Sequence, residues 1–248
     1  MRKISNLNGE ILTVLDRYKD KVYNNLDFSK IYRHGNKFGN EGRPLFSTGI
    51  DCLRSMDHMN HVGYPPDSDG IDLTINGMKQ PMEEGKTDYD QYKKAVEYGY
   101  EVDEGLMSLI GFRNPALKMF YPEDGYIAWH TNWNAVGMNI IFTYSPSGKG
   151  YWRHINPEGS TSPVPNLGPN KEEWSEDHPN FVHIQDPPGW HCKVGYYGKK
   201  EEHDKIVWHS AASNGEKRIT LGFIVYEPEM WEPMVEELVE YDNSMKNN

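Results

Sequence analysis

The sequence predicts a mainly β fold flanked by helices, on three observations. Between Leu117 and Tyr226 the chain breaks into eight short segments rich in β-branched and aromatic residues. Turn signals separate them, among them Pro122-Glu-Asp-Gly125, Asn134-Ala-Val-Gly137, Pro146-Ser-Gly-Lys-Gly150 and Ser213-Asn-Gly-Glu216. Helical periodicity is confined to the stretches before and after this region. Such a pattern reads as a sandwich or barrel with helices packed on a strand layer.

Taken in order, Glu10 to Leu26 places Ile11, Leu12, Leu15, Tyr18, Val22 and Leu26 on one helical face. Asp27 to Lys86 is rich in Gly, Pro, Asn and Asp. It reads as long loops with one or two short strands, such as Gly70 to Asn76. Asp88 to Ile110 is helical by the recurrence of Tyr92, Ala95, Val96, Gly99, Val102 and Leu106, with Gly99 and Gly105 as points that would split it. Strands follow at 117–121, 126–132, 138–145, 150–155, 181–184, 191–197, 205–211 and 218–226. Asn156 to Asn180 is a long insertion of the kind that forms a lid or stays unstructured. Glu229 to Tyr241 closes the chain as an acidic helix, with Met230, Met234, Leu238 and Val239 on its apolar side. The expected organisation is one domain over 1–248: a helical and loop-rich support at 1–111, a β core at 112–228, and an acidic helix and tail at 229–248.

Charge narrows the partners. A net charge of -11 argues against sequence-independent binding to nucleic-acid backbones, which needs clustered Lys and Arg. It also disfavours anionic membranes. Cys52 and Cys192 are read as reduced thiols. No secretory signal is visible at the start, and no apolar run approaches the roughly 20 residues that span a bilayer. The expectation is a cytoplasmic protein acting on a small molecule or a peptide. Composition sets no oligomeric state.

Residues two apart on a strand share a face. Tyr126, Ala128, His130 and Asn132 therefore form one row, Val207, His209 and Ala211 a second, and Arg218, Thr220, Gly222 and Ile224 a third. If these rows meet inside a barrel, two imidazoles, a carboxamide, a guanidinium and a hydroxyl converge. Packing alone does not gather such groups, since each buried polar group needs a partner. Gly222 would leave room beside them.

The half of the chain from Leu117 to Tyr226 resembles the Fe(II)- and 2-oxoglutarate-dependent oxygenase superfamily. The pattern of that superfamily is His-x-Asp/Glu, a distal His, and an Arg followed two positions on by Ser or Thr. This chain carries His130-Thr-Asn132, His209, Arg218 and Thr220, and Tyr121 matches a tyrosine that several members direct at the cosubstrate. The resemblance implies a double-stranded β-helix (jelly-roll, cupin-like) core at 112–228. It implies Fe(II) held by His130, Asn132 and His209, and 2-oxoglutarate held by Arg218, Thr220 and Tyr121. The implied activity is a dioxygenase, a hydroxylase that turns 2-oxoglutarate and O2 into succinate and CO2. The bottom-up chemistry agrees: a two-His set leaves coordination positions open on iron, and Arg offers paired donors to a carboxylate.

Asn132 departs from the pattern, because a neutral amide is a poorer iron ligand than a carboxylate. Three readings follow. Asn132 coordinates weakly, or an outside carboxylate such as Asp124, Asp186 or Asp204 substitutes, or the fold survives as a non-catalytic binding protein. A cupin-like metalloenzyme that uses no keto acid is a further alternative. Relatives that repair alkylated bases have a second Arg six positions past the first, where Ile224 stands here, which argues against a nucleic-acid substrate.

Each residue also has a plainer use. A lone strand His is usually hydrogen-bonded structure; His130 and His209 gain weight only jointly, with Arg218 and Thr220 at the right distance. Tyr121 is equally good as core, and Asn139 is more simply structural than a pocket residue. His58 and His61 with Asp57 read as a solvated loop. His191-Cys192 lacks the spacing of a zinc site, although His191 could face the pocket. Gly148-Lys-Gly150 is a hairpin turn, since no helix follows it.

Overall fold

The computed structural model describes residues 1–4, 6–35, 42–55, 65, 67–111, 114–155, 175–199, 201–202 and 205–239. The elements are β1 (Arg2–Ile4), α1 (Gly9–Asn25), α2 (Arg43–Ser47), α3 (Ile50–Ser55), β2 (Ser68–Asp69), β3 (Ile71–Asp72), α4 (Ile75–Glu83) and α5 (Tyr89–Ile110). They continue with β4 (Asn114–Tyr121), β5 (Tyr126–His130), β6 (Gly137–Ser145), β7 (Tyr151–Ile155), β8 (Phe181–Gln185), β9 (Gly189–Tyr197), β10 (His209–Ala212), β11 (Arg218–Val225) and α6 (Trp231–Leu238).

Two antiparallel sheets face each other. The larger runs β1-β9-β6-β11-β4-β3, the smaller β2-β5-β10-β7-β8. Within them the eight strands from β4 onward fall in the orders 4-11-6-9 and 5-10-7-8. That interleaving is a jelly roll, the double-stranded β-helix expected from the sequence. All eight expected strands are present, with ends moved by a few residues. The segment 205–208 stays outside regular pairing, and β10 starts only at His209.

The larger sheet is buried on both faces, which explains why β11 is buried along its whole length. Ile219, Leu221, Phe223 and Val225 point into a core shared with α1, α5 and α6. Arg218, Thr220, Gly222 and Ile224 point into the cavity between the sheets. In α1, Ile11, Leu15, Tyr18 and Val22 are buried at helical spacing. Burying one such side chain is worth about 1.5–3 kcal/mol. Asn8 and Asp88 cap α1 and α5 through side-chain oxygens that accept from backbone N–H groups (2.9–3.1 Å), and Gly111 ends α5 in the left-handed region.

Two sequence expectations change. Gly99 and Gly105 do not split α5. A Cβ at Gly105 would stand 2.8 Å from the Val14 side chain, so this glycine lets α1 and α5 approach closely. The stretch 27–86 holds more helix than expected: α2, α3 and α4 all lie in it, and the expected strand at Gly70–Asn76 is only β3 before α4 begins at Ile75. Thr74 caps α4 by accepting from the Gly77 N–H (3.1 Å), a capping signal that the density of turn residues concealed. Asp57, His58 and His61, residues 156–174, Asp204 and the tail beyond 239 lie outside the described residues.

Candidate metal and carboxylate site

A cavity of about 250 Å³ lies between the sheets. Strict alternation does not by itself build its smaller-sheet wall. His209 pairs with His130 and Ala211 with Ile127, so β5 spends three steps where β10 spends two. This β-bulge changes the parity of β5: Ile127, not Ala128, shares the cavity with His130. Trp129 turns to the other face, fully buried, and donates its indole N–H to the Gly49 carbonyl at 2.9 Å. The sequence reading that put Tyr126, Ala128 and His130 on one face is corrected here. Tyr126 instead donates to Asp67 at 2.7 Å.

The two imidazoles meet with ring centroids 4.1 Å apart. His130 Nδ1 lies 2.9 Å from the Ala128 carbonyl, and His209 Nδ1 lies 3.1 Å from the Val207 carbonyl. A carbonyl only accepts, so each Nδ1 carries a proton, and in the neutral form of each ring Nε2 is the nitrogen with the lone pair. Burial, with the neighbouring His130 ring adding to it, holds His209 well below the ordinary imidazole range. Neutral, tautomer-fixed imidazoles are what a divalent metal binds.

Asn132 lines the same cavity just past the end of β5, and its side chain makes no hydrogen bond to the described residues. Among the described residues no three His, Cys, Asp or Glu side chains gather as a metal set. Among the described residues, the members of the expected ligand set that line the cavity are the two imidazoles and the Asn132 amide. Of the residues offered as substitutes, Asp204 lies outside the described residues, and the other two do not supply a carboxylate. Asp124 is exposed in the turn after β4, and Asp186 is engaged elsewhere. His154 pairs with His209 across β7 and is buried, with its Nδ1 unpartnered. Burial lowers its imidazole to about 3, but it does not complete a three-ligand group.

The larger sheet supplies charge. Arg218 is buried, with its guanidinium 5.5 Å from the centre of the Tyr121 ring. Its Nε donates to Asp186 Oδ2 (2.8 Å) and its Nη1 to Thr220 Oγ1 (2.8 Å). The other Asp186 oxygen, Oδ1, accepts from the Lys193 ammonium at 3.1 Å and lies 3.0 Å from His191 Nε2. The Lys193 ammonium also lies 2.8 Å from His191 Nε2. Burial opposes ionisation of Asp186, but Arg218, Lys193 and His191 together hold its carboxyl below the usual range. Burial pulls His191 down to about 4 and Lys193 to about 8, the latter against the pull of Asp186.

All six expected site residues, Tyr121, His130, Asn132, His209, Arg218 and Thr220, line this one cavity. Asn139, Ile224 and Gly222 line it too. Gly222 leaves less space than expected, since a Cβ there would meet Leu117 Cβ at 3.2 Å. His191 does not line the cavity but joins the charged cluster next to it. Lys193 and the structural role of Asp186 were missed. The available signal was His191-x-Lys193 on one face of an otherwise apolar strand. Cys52 and Cys192 are both free thiols. No helix among the described residues is long and apolar enough to cross a membrane.

No family model and no curated protein matches the sequence. Among solved structures, the chain is similar to a prolyl-4-hydroxylase from Pseudomonas putida, at 8% identity over 91% of this chain and 92% of that one (TM-score 0.37). It is also similar to a prolyl hydroxylase from Trichoplax adhaerens, solved with a hypoxia inducible factor peptide, at 11% identity over 91% and 96% (TM-score 0.32). A third is dioxygenase for auxin oxidation 1 from Arabidopsis thaliana, solved with 2-oxoglutarate, at 10% identity over 88% and 79% (TM-score 0.32).

Proposed function

We propose that this protein is an Fe(II)- and 2-oxoglutarate-dependent dioxygenase that hydroxylates a small-molecule or peptide substrate. The observation that supports this reading is a single cavity lined jointly by His130, His209, Asn132, Arg218, Thr220 and Tyr121. His130 and His209 would hold the iron, with the Asn132 amide oxygen as the third protein donor. Bound there, iron would supply O2 activation coupled to decarboxylation of the keto acid, yielding succinate and CO2.

The chain's own groups divide the remaining work. Arg218 presents the Nη side of its guanidinium to the distal carboxylate, its Nε edge being held by Asp186. The Thr220 hydroxyl accepts from Arg218 Nη1, which leaves its proton to donate to the same carboxylate. Burial pushes the Tyr121 phenol up to about 12, so it stays a donor. Ile127, Ile141 and Trp152 line the walls with apolar surface.

Anaerobic titration with Fe(II) and 2-oxoglutarate tests the reading. A visible metal-to-ligand charge-transfer band is expected, and succinate should form on admitting O2. Absence of both overturns the oxygenase. Asn132→Asp should tighten iron binding by roughly tenfold, about 1.4 kcal/mol. Should the parent bind no iron and only the variant do so, the chain is a binding protein on this fold. Arg218→Met should abolish 2-oxoglutarate binding; an unaltered response would favour a cupin-like metalloenzyme without a keto acid.

A further inference from the structure

Resting on the keto-acid reading of the cavity, we infer that Lys193 is a charge-balancing positioning residue that turns the Arg218 end of the cavity into a receptor for one carboxylate. An isolated Arg218–Asp186 pair would be neutral and would pull only weakly on an anion. Lys193 changes that. It is fully buried and contacts the same carboxylate, on the oxygen that Arg218 does not use. His191 is neutral at physiological pH, so two cations share one carboxylate. An excess positive charge in a desolvated place is costly until an anion arrives.

Of these four groups only Arg218 lines the cavity, so the excess is felt there. Asp72 is the acid among the cavity-lining residues. Burial raises its carboxyl, it accepts from the Thr74 N–H at 2.8 Å, and it is not among the charges that act on Asp186, His191 or Lys193. The charged and titratable groups that face Lys193 are Asp186, Arg218, His191 and the Cys192 thiol, which burial pushes up to about 12. Burial leaves Lys193 at about 8, protonated at neutrality and discharged in mild alkali.

Calorimetric titration of the full chain with glutarate, which has the carboxylates but no keto group, tests this. The unaltered protein should bind glutarate at pH 7, and its affinity should fall by up to about tenfold per pH unit above about 8. Lys193→Met should lose at least about tenfold at pH 7 and lose the pH dependence. Adding Asp186→Asn to Lys193→Met should restore affinity, because Arg218 alone then carries the excess charge. A flat profile between pH 7 and about 9.5 in the unaltered protein overturns the role of Lys193 without any variant. So does a Lys193→Met protein of unchanged affinity, or a double variant no better than the single. Glutarate binding with the expected pattern but no iron and 2-oxoglutarate band would sink the oxygenase and keep Lys193. A band with unchanged affinity in Lys193→Met would sink Lys193 alone. An unaltered protein that binds neither glutarate nor 2-oxoglutarate removes both.

Discussion

The two walls of the cavity handle buried polarity in opposite ways. On the smaller sheet, β5, β10 and β7 bring His130, His209 and His154 into one cross-strand row. For His209 and His154 burial suppresses the charged form outright. On the larger sheet and the turn before it, Arg218, Lys193 and Asp186 share ionic hydrogen bonds though each is almost wholly buried. One wall is ready to donate lone pairs to a cation. The other is ready to donate protons to an anion. Desolvation without a partner neutralises a group, whereas desolvation with a partner of opposite sign preserves the charge at a large penalty if the partner is lost.

The sharpest break of this contrast is Asp186→Asn. It leaves two buried cations facing each other and should destabilise the fold by about 3–5 kcal/mol in urea unfolding. A loss under about 1 kcal/mol would mean the charges are solvated, and the contrast would vanish. Acidification probes both walls. The folded pKa of His191 is lowered to about 4, against about 6.5 unfolded, so the unfolded chain binds more protons between those values. Stability from His191 is therefore fully present above about 6.5 and lost as pH falls toward about 4, by up to about 3 kcal/mol. His154, lowered to about 3, should extend the loss to lower pH. His191→Gln and His154→Gln, followed by thermal melts from pH 7 to pH 3, separate the contributions of the two walls. A smaller effect is expected at Gly150, where a Cβ would stand 2.8 Å from Asp186 Oδ2 and 3.1 Å from Arg218 Cδ. Gly150→Ala should cost about 1–3 kcal/mol by overpacking and weaken carboxylate binding. Iron affinity should stay unchanged if the two walls are independent.

Much of the core was legible in the sequence because a strand buried on one or both faces must alternate or run apolar, and each of the eight segments did so. Arg218, Thr220, Gly222 and Ile224 were placed on one face by period alone, and β11 keeps that period. β5 does not. Its bulge breaks alternation, and nothing in Tyr126-Ile-Ala-Trp-His130 announces it, because a bulge is decided by what pairs across the strand. The helices at 43–55 and 75–83 were hidden by their Pro and Gly content, and tertiary contacts hold them where local propensity is weak.

Sequence alone determined the eight core strands, the flanking helices near 10–26, 88–110 and 229–241, and the choice of His130, His209, Arg218 and Thr220 as candidate site residues, because periodicity and side-chain chemistry are local properties. Only the tertiary structure decided that Asp186 serves Arg218 rather than a metal, and that Lys193 leaves an excess positive charge beside it. Those facts depend on which groups lose water together, and that is settled by residues meeting across strands far apart in the chain.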